Sequence, residues 1–76
     1  MHHLERHAAE WIEIRAGQLK VRKGHFSPSR LQAIRDLMNT VELPSHTGFW
    51  ITPQRTLHFK PNFPSSLRAS LRDQIL

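Results

Sequence analysis

The sequence predicts an α+β domain of order ββαββα, a four-stranded antiparallel sheet with two helices on one face. Three observations lead there. Ile12 to Met38 and Phe49 to Ile75 read as two copies of one unit: strand, tight turn, strand, short linker, helix. Leu19-Lys20-Val21-Arg22 answers Leu57-His58-Phe59-Lys60, Phe26 answers Phe63, and Ile34-Arg35-Asp36 answers Leu71-Arg72-Asp73. The apolar positions also change period within each unit, alternating before the linker and recurring at helical spacing after it. Finally, a hairpin with one apolar face and one amphipathic helix cannot bury its stripe alone. The two hairpins therefore join as one sheet, and both helices cover its apolar face.

Each element has its own signal. Residues 1–10 are polar without a sustained pattern and are expected to form a flexible arm, leaving residues 11–76 as a single domain with half-units 11–43 and 48–76. Trp11-Ile12-Glu13-Ile14-Arg15 alternates with period two, as a half-buried strand does. Ala16-Gly17 supplies a two-residue turn, where glycine accepts the positive φ such turns require. Gln18-Leu19-Lys20-Val21-Arg22 alternates again, so Ile12, Ile14, Leu19 and Val21 share the core face. After the linker Lys23-Gly24-His25-Phe26, Ser27 serves as N-cap and Pro28 sits at the first helical position, where its missing N–H is no loss. Leu31, Ile34, Leu37, Met38 and Val41 follow at helical spacing.

Pro44-Ser45-His46-Thr47-Gly48 reads as the loop joining the halves, and residues 42–48 would be the hinge of a swapped dimer. Phe49-Trp50-Ile51-Thr52 is the third strand, with Pro53 pre-set for the second position of the turn Thr52-Pro53-Gln54-Arg55. Thr56-Leu57-His58-Phe59-Lys60 is the return strand. Ser65 or Ser66 caps the last helix, whose apolar stripe is Leu67, Leu71 and Ile75.

At 76 residues the chain has room for one domain, which buries only about 60% of the surface its unfolded form exposes. It has no cysteine, so no disulfide or thiolate chemistry is open to it, and a reducing compartment fits. No apolar run approaches the roughly 18 residues of a membrane span, and Met1-His2-His3-Leu4-Glu5-Arg6-His7 lacks the apolar centre of a signal peptide. A cytoplasmic location is the expectation. Eleven basic against six acidic side chains give a net charge of +5, which favours an anionic partner: nucleic acid first, acidic protein or lipid second.

The run from Ile14 to Leu76 resembles a family of short, uncharacterised bacterial proteins grouped as a domain of unknown function. Ile14-Arg15-Ala16-Gly17-Gln18-Leu19, Lys23-Gly24-His25-Phe26-Ser27-Pro28 and Leu57-His58-Phe59-Lys60-Pro61-Asn62-Phe63-Pro64, followed by the Arg72-bearing tail, carry the resemblance. It implies a shared fold and brings no activity or site residues. Relatives often begin with a hydrophobic segment; this chain does not, so membrane attachment is not carried over.

Strand parity gathers Trp11, Glu13, Arg15, Lys20, Arg22, Trp50, Thr52, Thr56, His58 and Lys60 on the face away from the helices. Open sheets bearing cations and aromatic rings bind single strands by stacking bases on the rings while Lys and Arg meet phosphates. Arg15, Lys20, Arg22, Trp50, His58 and Lys60 are therefore the candidate residues of a nucleic-acid or partner-binding site. The competing accounts are a solvated basic face, a protein-interaction or homodimer surface that buries the tryptophans, and a membrane-surface domain attached through a preceding segment.

Other constellations are weaker. Lys23-Gly24-His25 and Lys60-Pro61-Asn62 each precede a helix, where free N–H groups hold anions, but serine caps use those same groups. His3 and His7 are spaced as a helical metal pair, yet Glu5 does not sit where the zinc-protease pattern needs it, so no metal site is expected. His25, His46 and His58 suggest no shared site. Glu5, Glu10, Glu13, Asp36, Glu42 and Asp73 offer no pair suited to acid–base work. Only Gly17, Gly24 and Gly48 are available, too few for a phosphate-binding loop, and no nucleophile elbow is present. The expectation is a non-enzymatic protein with no cofactor and no small-molecule substrate, since a domain this small leaves little room for a concave pocket.

Overall fold

The computed structural model describes residues 8–75. Among them are four strands, two α-helices and one 3-10 turn: β1 (Glu10–Arg15), β2 (Gln18–Lys23), α1 (Pro28–Met38), β3 (His46–Ile51), β4 (Leu57–Phe59), the 3-10 turn Ser65–Leu67, and α2 (Arg68–Ile75). The sheet order is β2-β1-β3-β4, and every neighbouring pair is antiparallel. The predicted α+β fold is present. Ile12 pairs with Phe49, and these are the residues that open the two repeated units. A local two-fold axis therefore runs through the β1–β3 seam.

Local chemistry explains the elements. Ala16 and Gly17 have φ of 51° and 78°, the type I′ turn whose twist matches a two-residue hairpin. Ser27 Oγ accepts from the Arg30 N–H at 3.2 Å with Pro28 opening the helix. α1 stops at Asn39, which bonds back to the Arg35 carbonyl, and Thr40 Oγ1 donates to the Leu37 carbonyl at 2.7 Å. Val41 thus lies beyond the helix rather than on it, although it still packs against the core. Between β3 and β4 the Arg55 N–H donates to Thr52 O at 2.9 Å, and Arg55 has φ 66°. This is a type I turn followed by one left-handed residue.

Three expectations are corrected. β3 begins at His46, inside the stretch read as a loop, because it pairs with β1 along the whole of Glu10–Arg15. The loop reading relied on a Gly and polar residues; Gly48 is there because of close approach. A Cβ at Gly48 would lie 2.5 Å from the Ile12 carbonyl oxygen. No serine side chain caps the second helical segment: Pro64 occupies the cap position and Ser65 and Ser66 lie within the 3-10 turn. The expected arm at 1–10 lies outside the described residues up to His7, but Ala8 is buried and Glu10 opens β1.

One core joins Ile12, Ile14, Phe49, Ile51 and Leu57 of the sheet to Ile34 and Met38 of α1 and Leu71 and Ile75 of α2. Phe49, Phe59 and Phe63 form an aromatic cluster with centroids 4.9–6.4 Å apart. At the sheet's end Arg30 reaches Glu10 at 3.1 Å and the Ile75 carbonyl at 3.4 Å. One guanidinium thus ties β1 to both helices and satisfies an otherwise orphan carbonyl at the end of α2.

Candidate functional site

The register places the open face in transverse rows. Trp11 lies opposite Trp50, and Trp50 opposite His58, so three rings span three strands. The Trp50 and His58 rings are stacked, 5.4 Å apart and tilted by only 16°. Arg22 extends the row at the β2 end, its guanidinium 5.9 Å from the Trp11 ring centroid. It stands there because the β1–β2 pairing shifts between Trp11 and Ile12, a bulge that sets both Arg22 and Lys23 against one residue.

The next row runs Lys20, Glu13, Gly48, and the Lys60 N–H closes it by donating to Gly48 O at 3.0 Å. Beyond it Arg15 lies between Gln18 and His46. The six sequence-predicted residues are thus brought onto one face. Arg15, Lys20, Arg22 and His58 are exposed, while Trp50 and Lys60 are half-buried. His58 is also held by Thr56 Oγ1 at 3.2 Å.

Two features were not foreseen. Trp11 is only 8% exposed, and its Nε1 has no hydrogen-bond partner among the described residues, so it does not offer a free stacking plane. Glu13 is the charge hub of the face. Its Oε2 lies 3.0 Å from His46 Nε2, and its Oε1 lies 3.8 Å from Arg15 and 3.9 Å from Arg22. The His46 hydrogen bond, aided by the two guanidinium charges, outweighs burial and holds the Glu13 carboxyl below its ordinary range. An ionised carboxylate only accepts, so His46 Nε2 is the donor. Parity placed Glu13 on the open face without giving it a role; His46 was missed because its stretch read as a loop.

Elsewhere, Asn62 does not form an anion site. Its side chain receives the Thr47 hydroxyl at 2.8 Å and donates to the His46 carbonyl at 2.8 Å, locking the linker to β3. An open groove of about 740 Å³ lies between the β1–β2 turn and the end of α1, lined by Gln18, Leu19, Arg35, Met38, Val41 and Leu43 among others. Among the described residues no group of His, Cys, Asp and Glu is arranged to hold a metal, and no helix is long and apolar enough to cross a membrane. His3 and His7 lie outside the described residues. No family model, curated protein or solved structure matches the chain.

Proposed function

We propose that the chain is a non-catalytic binding module whose open sheet face receives a single-stranded nucleic acid. The observation that carries this reading is the stacked Trp50–His58 pair, flanked on the same face by Arg15, Lys20, Arg22 and Lys60. A base laid on the pair continues a stack already formed, and base–aromatic stacking contributes about 1–3 kcal/mol per base. Arg22 ends the ring row, Lys20 and Lys60 stand one row away and Arg15 two, so a strand crossing the sheet would run its backbone past cations on either side of the stack. Glu13 tempers the charge and holds Arg15 and Arg22 across the face.

A titration of the labelled protein with a short uridine-rich RNA tests this. Amide shifts are expected at Trp50, His58, Lys20 and Lys60, weakening as salt rises because phosphate neutralisation releases counterions. Trp50→Ala weakens binding by about tenfold or more, in line with the loss of one stacked base, and Arg22→Glu with Lys60→Glu abolishes it. Unchanged affinity in these variants would remove nucleic acid from consideration. A protein-interaction reading has an observation of its own, the edge strand β2, whose residues other than Leu19 are exposed.

A further inference from the structure

The two edges of the sheet differ. β4 has three residues, with Leu57 buried and Phe59 inside the aromatic cluster. β2 has six residues, and all but Leu19 are exposed. Neither helix covers it. Val21, on the helix side of β2, is the exposed large apolar residue of the described chain, at 40%. Leu19, on the same side, lines the groove that runs to Arg35, Met38 and Leu43.

The backbone of this edge is also set for pairing. In a two-residue hairpin the residues flanking the turn exchange hydrogen bonds, here Arg15 and Gln18, and the bonded pairs then alternate. Lys20 is therefore bonded to Glu13, whereas the N–H and C=O groups of Leu19 and Val21 point away from β1. Long edges of this kind are templates for another strand.

Charge selects the occupant. β2 carries no acid, and its exposed Lys20 and Arg22 stand on the open face, Arg22 already leaning on Glu13 at 3.9 Å. A second copy gains nothing from charge: symmetric antiparallel pairing of two β2 strands sets Lys20 opposite Lys20, Arg22 or Gln18 according to register, never opposite an acid, and like charges directly opposite destabilise a sheet. An acidic strand reverses that sign. We propose that β2 is a docking edge for an extended acidic peptide, which adds as a fifth strand. Its acidic side chains face Lys20 and Arg22, and its alternate apolar side chains cover Leu19 and Val21 and enter the groove beside α1. This is recognition by strand addition, in which main-chain bonds supply affinity and pockets for alternate residues supply specificity. It uses the edge of the sheet and shares Lys20 and Arg22, but not the Trp50–His58 stack, with the nucleic-acid face.

The test uses the full chain with the capped peptide Glu-Val-Glu-Val-Glu-Val, and capped hexaglutamate as the charge-only control. With the alternating peptide, the Leu19 and Val21 amides are expected to exchange with solvent about tenfold more slowly, as newly hydrogen-bonded groups do. Hexaglutamate should give no such protection. Val21→Pro removes an N–H that the fold does not use, at an edge where proline is tolerated, and should weaken the peptide about tenfold, the loss of one bond's worth of affinity. Binding of the uridine-rich RNA should survive that substitution. No protection at millimolar peptide, equal protection by hexaglutamate, or undiminished binding to a folded Val21→Pro chain would each overturn the proposal. If Val21→Pro fails to fold, the exchange measurement on the unaltered chain decides. Peptide binding without RNA binding would sink the nucleic-acid reading alone, and the reverse result would sink this one alone.

Discussion

The first half of the molecule, Glu10 to Met38, and the second, His46 to Ile75, place equivalent elements on either side of the β1–β3 seam, yet only the second closes its outer strand. In the second half the Phe59 and Phe63 centroids lie 4.9 Å apart, Phe49 completes the cluster, and Arg68 of α2 lies over Phe59 at 5.1 Å, so β4 is packed onto the core that Leu67 and Leu71 share. In the first half the matching positions are Val21, which is exposed, and Phe26, which is buried against the Arg30 guanidinium at 4.6 Å rather than against other rings. One plan thus yields an edge strand packed onto the core where the side chains are large and aromatic, and an exposed edge strand where they are smaller and aliphatic. The lesson is that a repeat guarantees topology and leaves burial to side-chain volume.

Truncating the equivalent rings is expected to perturb stability most. Phe63→Ala is expected to destabilise by about 3–5 kcal/mol, the range for deleting a buried phenylalanine, because it opens a cavity between Phe49 and Phe59. Phe26→Ala is expected to cost less, since the Arg30 side chain can follow the vacated space. Equal losses in urea unfolding would show that the two halves are packed alike.

The seam comes next. Gly48→Ala drives a methyl against the Ile12 carbonyl, and backbone on the central strand cannot yield cheaply. About 1–3 kcal/mol of destabilisation is expected, typical of an overpacked site, with amide shifts concentrated on β1 and β3. A neutral result would mean that the seam is looser than its register implies.

Helix starts sharpen the contrast at a smaller scale. Ser27→Ala should cost about 1 kcal/mol, the usual loss of a side-chain cap, whereas Ser65→Ala and Ser66→Ala should stay within about 0.5 kcal/mol, as for surface changes. A thermal melt of the three variants measures this, and comparable losses would restore the symmetry that the sequence suggested.

The smallest effect concerns pH. Glu13 faces Arg15 on its own strand, Arg22 and Lys20 on β2 and His46 on β3. Its folded pKa lies below the ordinary carboxyl value. The stability it contributes is therefore complete above the unfolded value, near about 4.3, and is lost as pH falls from there through the depressed folded value. Glu13→Gln should flatten that part of the acid-unfolding curve. An unaltered acid limb would show that the face holds together without this carboxylate.

Much of the fold was legible because it rests on local periodicity. The Ala16-Gly17 turn, the Ser27-Pro28 helix start and the parity of Ile12, Ile14, Phe49, Ile51 and Leu57 all follow from neighbours a few residues away. Parity likewise gathered the six cationic and aromatic residues of the candidate face. What could not be read locally depended on partners far along the chain. His46 became a strand residue and a ligand of Glu13 only because β3 pairs with the full length of β1. Serine capping failed at Ser65 and Ser66 because Pro64 and the 3-10 turn set that helix start instead.

The alternation of side chains by itself determined the strands, their faces, the helices and their repeated order, since each follows from period and turn chemistry within a few residues. Tertiary structure alone decided which faces are covered. Trp11 and Val21 have the patterns of an exposed and a buried residue, and the assembled sheet reverses them, with Trp11 at 8% and Val21 at 40% exposure. The physical reason is that parity assigns a side of the sheet, whereas burial depends on whether anything packs there.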